Sequence, residues 1–487
     1  MAHVFLTHPY LLFRDVHQSR LKQPYPPLGT LQVAAVLTQA GHQVSWYDPT
    51  FDVDLSELKT AIQASQAEIL AIIPDDHPVQ IKQCTAQVRQ VMRELIGHAQ
   101  ALQLQSIVSG PDASDNPTVF LEAGATAVIS GEPVEALCDW LSASANEVEG
   151  VWGLMGGEGR RAPQKKLDVW PDALWSICDL MPYKNMWLDA HGYWEINVWT
   201  ARGCPYRCHW CAKPIWGRSL AVRSPERVSA EIQHLKQAYA PDRIWFTDDI
   251  FAIKPDWLAA FSTLVSHDPT PFRCLSRADL LKDPKYAQDL ATAGCQTVWM
   301  GAESGSNQVL QAMGKDATVE DVIQAVALLK KYKIRSGLFL QLGYPGEQLK
   351  DVLKTVEMVR QLNPDEIGVS VSYPLPGTVF YAQVAHALQG DQWANSMSNE
   401  TLHPAPYQAQ FYKYAKSLIR STHSAQKLSA RTRQFIQAPS PSSARSVLAS
   451  IGHRLHRPIA MRLMMRKAIP NPDAVQISLD SADVMGY

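Results

Sequence analysis

The sequence predicts an α/β chain: a Rossmann-like doubly wound sheet, then a partial (β/α)6 TIM-like barrel, then a helical C-terminal region. Two features predict it. Short apolar runs of strand character alternate with stretches of helical spacing over residues 1–140, and the alternation resumes over 191–385. Residues 386–487 lose the strand runs. Strands alternating with helices imply parallel sheets, since parallel neighbours need a crossover between them.

In the first region, Val4–Thr7, Gln43–Tyr47, Ile69–Ile73, Ser106–Ser109 and Ala127–Ser130 read as strands. Ile69–Ile73 is solidly apolar, as in a strand buried on both faces. Leu28–Ala40, Ile81–Leu104 and Thr118–Ala123 read as helices. A ligand of such a sheet belongs at the carboxyl ends of the strands. Residues 141–190 form a Gly- and Pro-rich linker with single Trp residues, expected to tether or cap. The second region offers strands at Glu195–Thr200, Arg243–Thr247, Phe272–Ser276, Thr297–Gly301, Ile334–Leu342 and Ile367–Ser372. Its helices include Pro225–Tyr239, with Pro in the first turn, and Val319–Lys331. Six β/α units make an incomplete barrel, with the active site on the loops after the strands.

A chain of 487 residues suits about three domains. The net charge of −2 names no partner. No apolar run is long enough for a transmembrane helix, and the N-terminus does not read as a signal peptide. Eight cysteines, three of them within eight residues, point to a reducing compartment and a metal rather than a disulfide framework. A cytoplasmic location is expected.

Those three follow the first barrel strand: Cys204-Pro205-Tyr206-Arg207-Cys208-His209-Trp210-Cys211. Three thiolates on one loop can ligate three irons of a [4Fe–4S] cubane and leave the fourth open, as catalytic metal centres require. Zinc on three Cys with His209 is the competing reading, but zinc favours two separated ligand pairs and no second pair exists. Structural thiols without metal are the blandest reading.

This C-x3-C-x2-C after a strand opening a β/α barrel resembles the radical S-adenosylmethionine (SAM) superfamily. The resemblance implies that the open iron binds SAM and that electron transfer breaks a C–S bond to give a 5′-deoxyadenosyl radical. It implies SAM contacts for Asp248 and Asp249 at the second strand end, for Arg277 at the third, and for Glu303 and Ser304 in Gly301-Ala302-Glu303-Ser304-Gly305-Ser306 at the fourth. It also sets the strand ending at Gly343 against the adenine. Each has an ordinary alternative: Asp249 or Ser306 as a helix cap, Arg277 in a surface salt bridge, Pro345-Gly346 as a plain turn.

The N-terminal region resembles the cobalamin-binding domains fused to such barrels, through Pro26-Pro27-Leu28-Gly29-Thr30-Leu31, Ser109-Gly110-Pro111 and Gly131-Glu132-Pro133. Pro27, Gly29, Gly110 and Gly131 are the expected cobalamin contacts, with Asp75 beside the lower face. The Asp-x-His-x-x-Gly signature of many cobalamin proteins is absent, and Asp75-Asp76-His77-Pro78-Val79-Gln80 only approaches it. Base-off cobalamin without His ligation is therefore expected. The alternative is a degenerate domain that binds nothing.

The two resemblances imply a cobalamin-dependent radical SAM methyltransferase acting on an unactivated carbon of a small-molecule or lipid-like substrate, served by a reductant such as flavodoxin or ferredoxin. An oxidative cyclase or ring-rearranging enzyme of the same branch, and a non-catalytic cobalamin or iron–sulfur sensor, are the alternatives.

Between Thr401 and Pro470 there is no Asp or Glu, while Lys and Arg recur. Arg445–Lys467 also carries Val447, Leu448, Ile451, Leu455, Ile459, Leu463 and Met464 at helical spacing. A basic amphipathic helix can lie on an anionic membrane, hold an anionic substrate, or pack on the barrel. Nucleic-acid binding is not expected, for want of a stacking platform.

Overall fold

The computed structural model describes all residues except 75–84, 143–147, 155, 212–218, 389–404, 438–439, 473 and 476–487. The described chain forms two compact units. One runs from Met1 through Tyr206 and continues to Cys274; the other takes the short segment beginning at Arg207 and the chain from Leu275 onward.

The first unit opens on a sheet of β1 (His3–Thr7), β2 (Gln43–Trp46), β3 (Ile69–Ile72), β4 (Gln105–Val108), β5 (Ala127–Ile129) and β6 (Val151–Trp152), in the order β2-β1-β3-β4-β5-β6. The first five are parallel. β3 is apolar throughout and wholly buried, which fits its central place. The chain moves from β1 to one side and returns to the other, so a switch point lies between β1 and β3, where open α/β sheets place their crevice. The helix expected from Ile81 spans Thr85–Ala101; its earlier residues and Asp75 lie outside the described residues.

The segment 141–190 is packed rather than free. It supplies β6, antiparallel to β5, and the helix Met181–His191. Its aromatic residues act as anchors. Trp187 Nε1 donates to the Pro24 carbonyl (2.7 Å), Trp175 Nε1 to Glu231 (3.2 Å) and the Tyr183 hydroxyl to Asp48 (2.7 Å).

β7 (Glu195–Val198), β10 (Arg243–Phe246) and β11 (Phe272–Ser276) pair in parallel and begin the barrel. Between the first two lies a small antiparallel pair, β8 (Ala201–Arg202) with β9 (Ala221–Val222). Helices Pro225–Tyr239 and Pro255–Val265 connect the barrel strands, each with Pro in its first turn; Ser224 caps the former through the Arg227 N–H. In the second unit β12 (Cys295–Glu303), β13 (Arg335–Leu342) and β14 (Glu366–Val371) continue the parallel pattern. The helix Val319–Lys331 starts in a Thr318–Asp321 capping box and ends in Lys330 and Lys331, matching its dipole. Val298, Met300, Leu338, Leu340 and Leu342 are buried on one face of these strands. The C-terminal region forms helices Ala409–Gln426, Leu428–Gln437 and Pro441–Arg466.

The barrel opening is tied down by a buried charge. Glu195 on β7 accepts from the Tyr25 hydroxyl and from Arg273 Nε (2.7 Å), and Arg273 also reaches the Tyr25 oxygen. Glu195→Ala strands a guanidinium and a phenol, so it should lower stability by about 3–5 kcal/mol. Urea unfolding tests this: a midpoint equal to wild type would refute the tie.

Candidate active site

The cysteine-bearing loop is held by what precedes and follows it. Before it, within the first unit, Asp248 sits just past β10 and is completely buried. One carboxylate oxygen accepts from the Thr200 N–H (2.6 Å) and the Ala201 N–H (2.9 Å), the other from the Thr200 hydroxyl (2.6 Å). Burial pushes its pKa up to about 6 against the pull of those hydrogen bonds. Asp248 thus fixes the turn leading to Cys204. Asp249, next along, is half-buried.

In the second unit, the segment from Arg207 is pinned on its other side. The His209 N–H donates to the Met313 carbonyl (2.9 Å), His209 Nδ1–H to the Ala312 carbonyl (3.0 Å), and the His209 carbonyl accepts from Phe380 (2.9 Å). Gly314 presses on the His209 ring; a Cβ there would lie 2.6 Å from it. The ring is thereby held in place between Gly314 and the Ala312 carbonyl.

Charge gathers around Cys208. Burial raises its thiol pKa, Lys315 and Arg277 counteract this, and Cys211 and Glu303 add to it. Glu303 ends β12 with φ +54°, rare for a residue with a side chain, after a register shift between Gly301 and Glu303. Its carboxylate pairs with Lys315 at 3.0 Å, both side chains nearly buried, and Lys315 also lies over the Trp210 ring at 5.5 Å. Gly301 makes room for the pair: a Cβ there would stand 2.2 Å from the Glu303 oxygen. Lys315 had no signal in the sequence, being one lysine in a short inter-helix turn.

Other expected contacts have partners inside the protein. Arg277 is buried and forks onto the half-buried Asp279 at 2.8 and 3.2 Å. Ser304 and Ser306 hold the strand-end turn. The Ser304 hydroxyl accepts from the Ser306 N–H (3.2 Å), and the Ser306 hydroxyl donates to Asp351 (2.7 Å). Gly343, with φ +79°, donates its N–H to Glu347 (2.6 Å). Trp299 and Phe339 stack at 4.7 Å over the space left by Gly337, an aromatic pair that sequence reading missed.

At the carboxyl edge of the N-terminal sheet, Pro27 precedes the helix Leu28–Gln39 and Gly29 is buried in its first turn. Thr30 donates to the Ile73 carbonyl past β3 (2.8 Å). Gly110 (φ +116°) packs on Pro74, and the neighbouring Ser109 hydroxyl is buried without a partner among the described residues. Gly131 differs from expectation. A Cβ there would strike the Arg161 carbonyl at 2.2 Å, so its missing side chain admits the chain's own backbone. His8 at the end of β1 is taken by Asp48 (2.9 Å). Among the described residues no three metal-ligating side chains converge on one point, so it is the donor chemistry of three thiols with two cations acting at Cys208, not a preformed cradle, that fits a cluster. A ligand accepting a hydrogen bond fits the orphaned Ser109 hydroxyl at the carboxyl edge of the N-terminal sheet.

A profile of the Radical SAM superfamily matches residues 200–359, from the clamped turn through the helix after β13. An uncharacterised methyltransferase of Pyrococcus horikoshii is 26% identical over 370 residues, covering 72% of this chain and 77% of the relative. Among solved structures, the radical SAM methyltransferase TsrM of Kitasatospora setae, bound to cobalamin and a [4Fe–4S] cluster, superposes with a TM-score of 0.65 at 19% identity, covering 79% of this chain and 75% of its own. The cobalamin-dependent radical SAM enzyme OxsB, bound to aqua-cobalamin and SAM, gives 0.72 at 15% identity, covering 94% and 72%. At such identities these likenesses are of fold.

Glu347 is wholly buried, and burial, with Asp351 nearby, raises its pKa to about 8 although the Gly343 N–H pulls it down. Folded chain then holds a proton that unfolded chain releases near pH 4.5. Stability is greatest below that value and falls as pH rises toward 8, by up to about 1.4 kcal/mol per unit. Glu347→Gln should flatten the slope in denaturation at pH 5.5 and 7.5; an unchanged slope would place the proton elsewhere.

Proposed function

We propose that this radical SAM enzyme is a cobalamin-dependent methyltransferase that acts on an unactivated carbon of a small molecule. The observation that carries the reading is the held backbone around Cys204 and Cys208, with Lys315 and Arg277 acting electrostatically at Cys208, downstream of a largely parallel sheet with a switch point between β1 and β3. When bound, the cluster and SAM would supply one-electron cleavage of a C–S bond, and cobalamin a methyl group.

The chain's own residues have separable duties. Cys204, Cys208 and Cys211 would ligate the cluster. Lys315 and Arg277 offset the negative charge that three thiolates bring into a buried setting. Asp248 fixes the backbone that leads to Cys204, and His209 fixes the backbone beside Cys208. Ser109 and the turn at Gly110 would meet cobalamin, and Gly29 stands at the start of a helix on the same edge. The Trp299–Phe339 pair offers an apolar surface to a flat group. The seven described cysteines are free thiols, which suits a reducing cytoplasm and a flavodoxin or ferredoxin as electron donor.

Cys208→Ala should abolish the brown chromophore of the anaerobically reconstituted protein and reduce SAM cleavage to background. Wild type incubated with substrate should yield 5′-deoxyadenosine and S-adenosylhomocysteine together. Deoxyadenosine alone would redirect the reading to a cyclase or ring rearrangement, and neither product would make the chain a sensor.

A further inference from the structure

The C-terminal helix Pro441–Arg466 has two apolar faces, and only one is covered. Ala460 and Met464 are buried. Leu448, Ile451, Leu455 and Ile459 recur at steps of three and four residues and so form a single row along the helix. That row faces solvent: Leu448 is 66%, Leu455 68% and Ile459 53% exposed. A contiguous aliphatic row in water is costly and marks a surface with a partner.

Two further observations identify the partner's chemistry. Arg445, Arg454, Arg462 and Arg466 lie on the same helix as the row, in a stretch from Thr401 to Pro470 with no acidic residue. Beside the row, between this helix and Ala409–Gln426, is a pocket of about 550 Å³ lined by Thr422, Arg454, Arg457, Pro458 and Met461, among others. The Thr422 hydroxyl there is 1% exposed and has no hydrogen-bond partner among the described residues. Glu357 lies within electrostatic reach of Arg457 but is itself held by Arg360. Two guanidinium groups and an orphaned hydroxyl are a donor set for a phosphate oxygen.

We propose that this helix docks on the surface of an anionic phospholipid bilayer, with the aliphatic row entering the acyl boundary and a lipid phosphate seated against Arg454, Arg457 and Thr422. A second copy of the chain is a poor occupant, because it would bring the same basic, acid-free helix against this face. No described helix is long and apolar enough to cross a membrane, so the contact lies in the interfacial plane.

The full-length chain is sedimented with vesicles of phosphatidylcholine alone and of phosphatidylcholine with phosphatidylglycerol. Pelleting is expected with the anionic vesicles only and should fall steeply as salt rises. L455E/I459E, on exposed positions that leave the core untouched, should weaken it at least about tenfold. Thr422→Val should weaken it with retained helicity by circular dichroism, the check that it folds. Equal pelleting on neutral vesicles, no pelleting of wild type, or indifference to L455E/I459E would overturn the proposal. So would self-association in gel filtration that the same variant abolishes, or inorganic phosphate stabilising a chain that ignores vesicles. None of these readouts depends on SAM chemistry.

Discussion

One buried carboxylate sets the geometry from which the cysteine-bearing stretch departs. Among the described residues, two backbone N–H groups and a hydroxyl donate to the buried Asp248 carboxylate. Charge-assisted hydrogen bonds of this kind are short and strong, and losing one leaves the rest of the desolvation cost uncovered. The donors are Thr200 and Ala201, the residues that turn the chain out of β7 toward Cys204. A loop with little regular structure thereby inherits the rigidity of a barrel strand. The position of Cys204, four residues on, is thus set by strand geometry more than by any intrinsic preference of the loop.

The second unit solves a different electrostatic problem. Glu303 and Lys315 are both nearly buried, in a pair that a hydrophobic substitution of the same volume would often match in stability. Its value is therefore not stability alone. The pair brings a cation to Cys208 and over Trp210, and it needs the strained backbone of Glu303 and the bare Cα of Gly301 to fit. Strained backbone and a buried pair in one place persist only where the surrounding structure holds them, here beside the cysteine-bearing segment.

The layers of the fold were readable from the chain because periodicity reports burial, and burial decides layers. Ile69–Ile73 could only be a central strand, and Pro225–Tyr239 carried both its cap and its proline. Cysteine spacing was readable because three ligands on one loop have few other uses. What each polar residue at a strand end touches was not readable. Ser304, Ser306 and Arg277 stand at strand ends, where a polar side chain can serve a ligand or the following turn, and here each has a partner within the protein. Gly131 shows the same ambiguity from the opposite side: a bare Cα admits close approach, but not a particular visitor. Lys315 was silent because its meaning rests wholly on a residue twelve positions earlier. The segment 141–190 looked like a linker by its Gly and Pro content, while its Trp and Tyr residues, the better guide, do the anchoring.

The C-terminal helix shows where periodicity itself divides. Val447, Leu448, Ile451, Leu455, Ile459, Leu463 and Met464 fit one helical pattern in the sequence, which suggested one apolar face. The structure separates them: Met464 turns inward with Ala460, and the row from Leu448 to Ile459 turns out. A helix apolar on two faces is normally a buried helix. This one lies at the surface, with arginines in reach of its uncovered row and carboxylates missing from seventy residues around it. Burying either face against the protein would have been simple chemistry for a chain this rich in aliphatic residues. A face left uncovered beside positive charges is complementary to a cover that is both apolar and negatively charged, which is the premise of the proposed docking.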